Sequence, residues 1–440
     1  MTSPTVATSP IPSADLHASL SDPVLDSMNF LNEIASRFPD AISFAPGRPY
    51  DEPFDAEVVA GYLRAYERHL RDRGLTPEQA NAVLFQYGRT KGQIHDLVAT
   101  TIAHDEGVEV DPESVVVTVG AQEGMVLVLR ALIRDERDVL LVASPCYLGI
   151  TGAARLLDVP VEPVPEGPGG IDARTVRERV DRLRAAGRRP RLLYVVPDFA
   201  NPSGIRMPLP AREELLRVAA ELDLLILEDN PYGLFTRDDT TLPVLKRLDR
   251  DGRVIYLGTF AKTCFPGARV GYVVADQPVV APDGRHGLLA DELAKLKSMI
   301  TINTSPLAQA VIGGMLLAHD CKLRVFNEER IASYRDRLDR LGAALERHFP
   351  AGQRHRTGVD WVLPDGGFFL VMSVPFVADQ DALQQSAREH GVLWTPMSFF
   401  HLDHHGDRRL RLSASYLPLD RIDEGVRRLR EFVTARSAAT

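Results

Sequence analysis

From about residue 110 onward, short runs of β-branched and aliphatic residues alternate with stretches of helical periodicity. That rhythm commits a chain to an α/β fold, because each apolar run must be covered by helices on both faces. Residues 114–119 predict a strand and 121–134 a helix; 138–143 is the next strand, with a helix after Pro145. Residues 191–196 and 224–227 are two more strands, separated by the amphipathic stretch 210–222, and 253–257 and 269–275 follow. The expected fold class is α/β, a large domain with a mainly parallel mixed sheet covered by helices. The last third changes character. It predicts a long charged helix over 322–349, a segment at 367–373, a helix over 379–390, strands near 392–395 and 409–415, and a closing helix over 418–435. This is expected to form a smaller α+β domain, joined by segments before residue 60. Pro/Gly-rich joints are expected at 166–170 and 282–287, and no internal repeat is visible.

Composition narrows the function. The chain has 440 residues, 45% hydrophobic and 25% charged, enough for a sizeable core. Lys and Arg number 51 against 60 Asp and Glu, a net charge of −9, which argues against a general binder of nucleic acid or anionic membranes. Cys146, Cys264 and Cys321 are few, far apart and without a CxxC, so neither a disulfide framework nor a structural zinc site is expected. No apolar run approaches the roughly 20 residues of a membrane span. The Ser/Thr/Pro/Ala-rich N-terminus has no Lys or Arg before Arg37 and no apolar stretch typical of a signal. It is expected to be a disordered tail, and the protein cytoplasmic.

The chemistry centres on a lysine. Of six lysines, five (Lys91, Lys246, Lys295, Lys297 and Lys322) sit in polar settings that predict exposure. Lys262 lies in T-F-A-K-T-C-F-P-G-A-R-V-G-Y, between two predicted buried strands, where α/β sheets place ligands. Apolar surroundings disfavour its charged form and make it an amine nucleophile; a lysine snorkelling to the surface is the plainer alternative. Thr259 and Arg269, nearby, carry a hydroxyl and a guanidinium fork suited to phosphate. The junction Val119-Gly120-Ala121-Gln122 ends a strand and opens a helix whose free N–H groups favour an anion. In L-E-D-N-P-Y, Asp229 could hold a ring nitrogen protonated and Tyr232 offers a phenol, although an Asx turn before Pro231 would also explain the aspartate. Asn201-Pro202-Ser203-Gly204 reads equally as a β-turn. Taken singly, each of these motifs is more often structural than functional.

In this order, the motifs resemble the fold-type I, class I/II pyridoxal-phosphate aminotransferases. The resemblance is to the branch holding the 2-aminoadipate and kynurenine transaminases and the effector domains of MocR-type regulators. It covers roughly residues 30–435, and rests on the lysine loop and E-D-N-P-Y. Support comes from Y-x-x-P-x-x-x-N-P-S-G from Tyr194, P-D-G-G-F-F from Pro364 and R-L-R-L-S from Arg409. The resemblance implies pyridoxal 5′-phosphate as cofactor, with Lys262 joined to its aldehyde and later moving the proton between substrate Cα and the cofactor's C4′. It implies Asp229 on the ring nitrogen, Tyr232 and Asn201 on the ring oxygen, and Tyr147 stacked on the ring. Gly120, Ala121, Gln122, Thr259 and Arg269 form the phosphate cup. The resemblance also implies that Tyr87 reaches the phosphate of the neighbouring subunit in a homodimer with shared active sites. Arg411 clamps the substrate α-carboxylate, assisted by Asn201, and Gly47 lies in the segment that closes over substrate. Arg409 shares strand parity with Arg411, so by residue alone either could be the clamp.

On this resemblance the chain divides into a tail, 1–25; a segment contributing to the small domain and the active-site cover, 26–70; a large cofactor-binding domain, 71–320; and a small C-terminal domain, 321–440. Several positions depart from the pattern. Ala121 and Ala261 stand where serine is frequent, so the cup lacks two hydroxyls, and Ala200 replaces a glutamine. The substrate-side turn reads Pro396-Met397-Ser398-Phe399-Phe400, an apolar pocket or plain core. His401, Asp403, His404 and His405 sit in a polar loop without the spacing of a metal site. Cys264 is expected to be a packed thiol. The expected reaction moves an amino group between an L-α-amino acid, aromatic or an arylglycine or other specialised-metabolite precursor, and a 2-oxo acid by a ping-pong cycle. Rival readings on the same scaffold are β-elimination, decarboxylation or amino-acid oxidation. A ligand-sensing regulatory domain would need a basic winged helix-turn-helix that the stretch before residue 40 does not supply. A nicotinamide dehydrogenase would need a G-x-G-x-x-G after a strand.

Overall fold

The computed structural model describes residues 11–50, 55–238, 240–403 and 405–438. Its centre is an eight-stranded sheet. Across the sheet run Val115–Thr118, Gly271–Val274, Val254–Thr259, Leu225–Asp229, Arg189–Val195, Asp138–Ser144, Val161–Gly167 and Gly170–Ile171. The four strands from Val254–Thr259 to Asp138–Ser144, with Val161–Gly167, are parallel neighbours, while Gly271–Val274 runs antiparallel to both its partners. Val115–Val117, Leu140–Val142 and Ile226–Leu227 are fully buried, as the unbroken apolar runs require. This order brings the chain ends after Thr118, Ser144, Val195, Asp229 and Thr259, and the start at Gly271, to one edge of the sheet. Ligands of α/β sheets bind outside that edge.

The second sheet is antiparallel, ordered Asp360–Trp361, Leu370–Ser373, Arg409–Leu412 and Thr395–Pro396. The helices Glu328–His348 and Leu419–Ala438 contribute to its core, which includes Leu345, Leu410, Leu412, Phe432 and Trp394. The N-terminal segment joins here. Ile42–Ser43 pairs in parallel with Val392–Leu393, and Phe44 is fully buried in the same core. Of the expected tail, residues 1–10 lie outside the described residues; Ser13–Asp15 and Ala18–Ser21 form 3-10 turns ahead of the helix Pro23–Arg37.

Three expectations are corrected. The joint at 166–170 is a hairpin, in which Glu166 opposes Ile171 and Gly167 opposes Gly170. The expected helix over 322–349 is two, Leu323–Phe326 and Glu328–His348, because the Asn327 side chain donates back to Leu323 O at 2.8 Å. Lys91, Lys246 and Lys297 are buried, not exposed. Each has an acidic partner: Asp291 for Lys91 and Asp276 for Lys246 at 2.6 Å, and Glu123 for Lys297 at 2.7 Å.

Candidate active site

The loops at the sheet edge and the strand Arg409–Leu412 of the second sheet enclose a cavity of about 820 Å³. Gly47, Ala121, Gln122, Tyr147, Asn201, Asp229, Tyr232, Thr259, Lys262, Arg269 and Arg411 all line it. Gly120, adjacent to Ala121, is buried at the start of the helix Gly120–Leu132 and is not in the lining.

Lys262 sits just beyond the strand Val254–Thr259, and its Nζ donates to Gly47 O at 2.9 Å. Burial, with Arg411 and Arg269 nearby, lowers its pKa to about 8 against the pull of Asp229. Roughly a tenth is therefore free amine at pH 7, far more than an ordinary lysine offers, as a nucleophile or base requires.

Asp229 ends its strand buried. Tyr194 donates its hydroxyl to Oδ2 at 2.6 Å, while Oδ1 has no hydrogen-bond partner among the described residues. Burial raises its pKa to about 7, opposed by Tyr194 and Lys262. A buried carboxylate oxygen without a partner is costly unless a ligand donor meets it. Tyr232 packs edge-on against Phe368 and Phe369, with Lys262 Nζ 5.9 Å from its ring centre. Its phenol is held well above its usual pKa by burial.

The anion end is built from backbone. Gly120 opens the helix Gly120–Leu132 at φ +72°, and a Cβ there would lie 2.5 Å from Arg269 Nη2. Arg269 is itself in the left-handed region, at φ 52°. A Cβ on Gly271 would meet Ala121 N at 2.8 Å. Only glycine fits at these two positions, so the guanidinium and the first helical N–H groups lie together. This arrangement stands on backbone donors where Ala121 and Ala261 lack hydroxyls; Thr259 Oγ1 accepts from Ala261 N at 3.1 Å. Glu123 braces the junction by accepting Val119 N at 2.6 Å while pairing with Lys297.

Arg411 is buried. It donates to Asn201 Oδ1 at 2.6 Å, Ala45 O at 2.7 Å and Thr395 Oγ1 at 3.3 Å, and its Nε lacks a partner among the described residues. Its guanidinium carbon lies 4.3 Å from the Phe369 ring centre and 4.9 Å from that of Phe400. Burial lowers its pKa to about 10, so it stays cationic at neutral pH. Arg409, on the same strand, is exposed and lines no part of the cavity.

Tyr194, Ala45, Thr395 and Glu123 went unread as site residues because their partners are remote in sequence. Of the apolar turn, Phe400 lines the cavity, whereas Phe399 packs edge-on against Phe30 and Met397 against Leu148. His401 and His405 both pair with Asp403, at 3.5 and 3.0 Å, and His404 lies outside the described residues. Cys264 is buried, its thiol pushed up to about 12. Tyr87 stands apart from the cavity, 80% exposed.

Residues 67–429 match the family described as aminotransferase class I and II. The chain belongs to that family. The aminotransferase is 51% identical to the (S)-3,5-dihydroxyphenylglycine transaminase of Amycolatopsis orientalis, over 96% of this chain and 94% of that one. It is 33% identical to the 2-aminoadipate transaminase of Thermus thermophilus, over 89% of each. Among solved structures, the α-aminoadipate aminotransferase of Thermus thermophilus, complexed with N-(5′-phosphopyridoxyl)-L-leucine, superposes with a TM-score of 0.77 at 30% identity. That superposition covers 97% of this chain and 100% of the other. The aminotransferase uses pyridoxal 5′-phosphate, and its residues fit the cofactor: an orphaned buried carboxylate oxygen, an amine with lowered pKa, and a glycine cradle beneath a guanidinium. Among the described residues no helix is long and apolar enough to cross a membrane.

Proposed function

We propose that this aminotransferase moves the α-amino group between an aromatic or arylglycine L-amino acid and a 2-oxo acid. The observation that carries this reading is Arg411, a buried cation set between the Phe369 and Phe400 rings in the cavity that also holds Lys262 and Asp229. A guanidinium there suits the α-carboxylate, and the Phe400 ring beside it suits an aryl group attached close to Cα. An arylglycine is the substrate class named for the Amycolatopsis relative.

When bound, pyridoxal phosphate supplies the electron sink that makes the Cα proton acidic. The protein's residues do the rest. Asp229, with its unpartnered Oδ1, would meet the ring nitrogen, and Tyr232 and Asn201 would meet the ring oxygen. The Gly120–Gln122 backbone, Thr259 and Arg269 would hold the phosphate and Tyr147 would contact the ring, with Lys262 placed to take and return the Cα proton. Arg411 fixes the carboxylate so that the Cα–H bond stays in reach of that amine.

The test is a panel of amino acids mixed with the holoenzyme, following bleaching of the cofactor's visible band and its return with a 2-oxo acid. Aryl and arylglycine substrates are expected to react fastest, without ammonia, pyruvate or peroxide. In Arg411→Lys the loss of the bidentate fork should raise the substrate KM by roughly 10-fold to 100-fold, with cofactor affinity nearly unchanged. Equal losses of both would remove Arg411 as the clamp.

The reading includes a cytoplasmic homodimer with shared sites. Three buried free cysteines suit a reducing compartment. Phe85, Tyr87, Met299, Ile300 and Ile302 are exposed, and the Gly88 and Asn303 segments adjoin, a Cβ on Gly88 lying 3.7 Å from Asn303 Nδ2. Apolar exposure of this extent marks an interface. Sedimentation should give a particle of twice the chain mass, and Tyr87→Ala should weaken cofactor retention; a monomer with full activity would overturn this part.

A further inference from the structure

The turn that carries Asp229 and Tyr232 has a brace of its own. Asn230, between them in sequence, uses its whole side-chain amide. Its Oδ1 accepts from Gly233 N at 3.0 Å, and its Nδ2 donates to Tyr256 Oη at 3.0 Å and to Glu106 Oε1 at 3.4 Å. Its backbone N–H donates to Leu257 O at 3.1 Å. Gly233 is shaped to this contact, since a Cβ there would sit 2.4 Å from Asn230 Oδ1. Tyr256 belongs to the neighbouring strand Val254–Thr259 and is 2% exposed; Glu106 ends the helix His95–Glu106. A single side chain thus ties the turn to an adjacent strand and to a helix outside the sheet.

We propose that Asn230, anchored by Glu106 and Tyr256, is a positioning residue that sets Asp229 and Tyr232 against the cofactor ring. This rests on the assignment of those two residues to the ring. Asp229 ends its strand and Tyr232 lies three residues on, beyond Pro231, and both line the cavity, so their separation depends on the turn's conformation. Glu106 is a half-buried acceptor at the helix end, in hydrogen-bond reach of the Asn230 amide. Desolvation raises its pKa to about 7 against the opposing pull of Arg324 and Arg212. Fixing a turn by side-chain amide contacts removes conformers that would misplace either group, and misplacement of catalytic groups is costly to both binding and rate.

The experiment compares Asn230→Ala, Asn230→Asp and the double variant Asn230→Asp with Glu106→Gln. Asn230→Ala removes all three side-chain contacts. Asn230→Asp keeps the acceptor for Gly233 but turns a carboxylate toward Glu106, and the double variant restores a donor–acceptor pair with its direction reversed. The readouts are the dissociation constant of pyridoxal phosphate from the apo-protein, the pH at which the bound cofactor's visible band changes, and the melting temperature of the apo-protein. We expect Asn230→Ala and Asn230→Asp each to weaken cofactor binding by about tenfold and to shift the spectral midpoint. The double variant should recover most of both. Single variants within twofold of wild type, or a double variant no better than Asn230→Asp, would overturn the proposal. Lys262→Ala and Asp229→Asn run alongside: normal spectra in both would mean that the site assignment itself is wrong, whereas altered spectra there with a silent Asn230 series would count against the brace alone.

Discussion

Lys262→Ala is expected to cut amino-group exchange by about 10⁴-fold or more while leaving a folded protein. Among the described residues the side chain removed is the only lysine lining the cavity. Lys91, Lys246 and Lys297 are held in buried pairs elsewhere, and Lys295 and Lys322 are exposed outside the cavity. The structural cost is the single hydrogen bond to Gly47 O, worth about 1 kcal/mol. Borohydride reduction of the holoenzyme followed by peptide mass mapping checks the result directly. Wild type should gain the cofactor mass on the peptide containing Lys262, and the variant should gain none. Turnover by Lys262→Ala at the wild-type rate, or a modified peptide elsewhere in the native protein, would contradict the assignment.

Asp229→Asn should separate activity from stability. Activity is expected to fall by about 10²-fold to 10³-fold, since a neutral amide cannot balance a protonated ring nitrogen. The apo-protein should meanwhile gain stability at alkaline pH. Burial keeps the Asp229 proton in the folded state up to a pH of about 7, whereas an unfolded aspartate loses it near about 3.9. Between these values the folded state binds more protons, so this group's contribution falls as pH rises through the window and stays lost above it. Asparagine carries no such penalty, and its Oδ1 still accepts from Tyr194. Glu106 and Glu228, raised to about 7 and about 8 by burial, give both proteins a shared background slope, so the difference between the two melting curves is the informative quantity. Asp229→Asn should melt higher than wild type at pH 8 and no higher at pH 4. The reverse order at pH 8 would mean that Asp229 is ionised by a partner in the folded protein, contrary to its orphaned Oδ1.

The sheet was legible wherever its strands were unbroken β-branched runs, because burial on both faces leaves no polar alternation to confuse the pattern. Val161–Gly167 was missed for a physical reason. Pro163 and Pro165 look like breakers, yet they are tolerated one strand from the sheet's end, where Pro163 lies opposite Val142 and Pro165 opposite Ser144. The break at Asn327 was also invisible, since the flanking residues keep helical periodicity and the interruption lies in one side chain's local hydrogen bond. The site was largely readable because its residues follow strand ends in short motifs. Its supports were not: Arg411 reaches Ala45, 366 positions away, and Lys297 reaches Glu123, 174 away. Strand parity placed Arg409 and Arg411 on one face, and the tertiary structure separates them: Arg409 is exposed, whereas Arg411 is buried beside Phe369 and Phe400 and lines the cavity.

The burial of three lysines has a practical corollary for handling the protein. With Lys262 inside the cavity, the side-chain amines open to acylating reagents in the native state reduce to Lys295, whose side chain is 70% exposed, and Lys322. Coupling to an activated-ester support would therefore attach the enzyme through these two side chains and the chain's α-amine rather than through a large random set, and dye conjugation through the same amines would give few, countable labels.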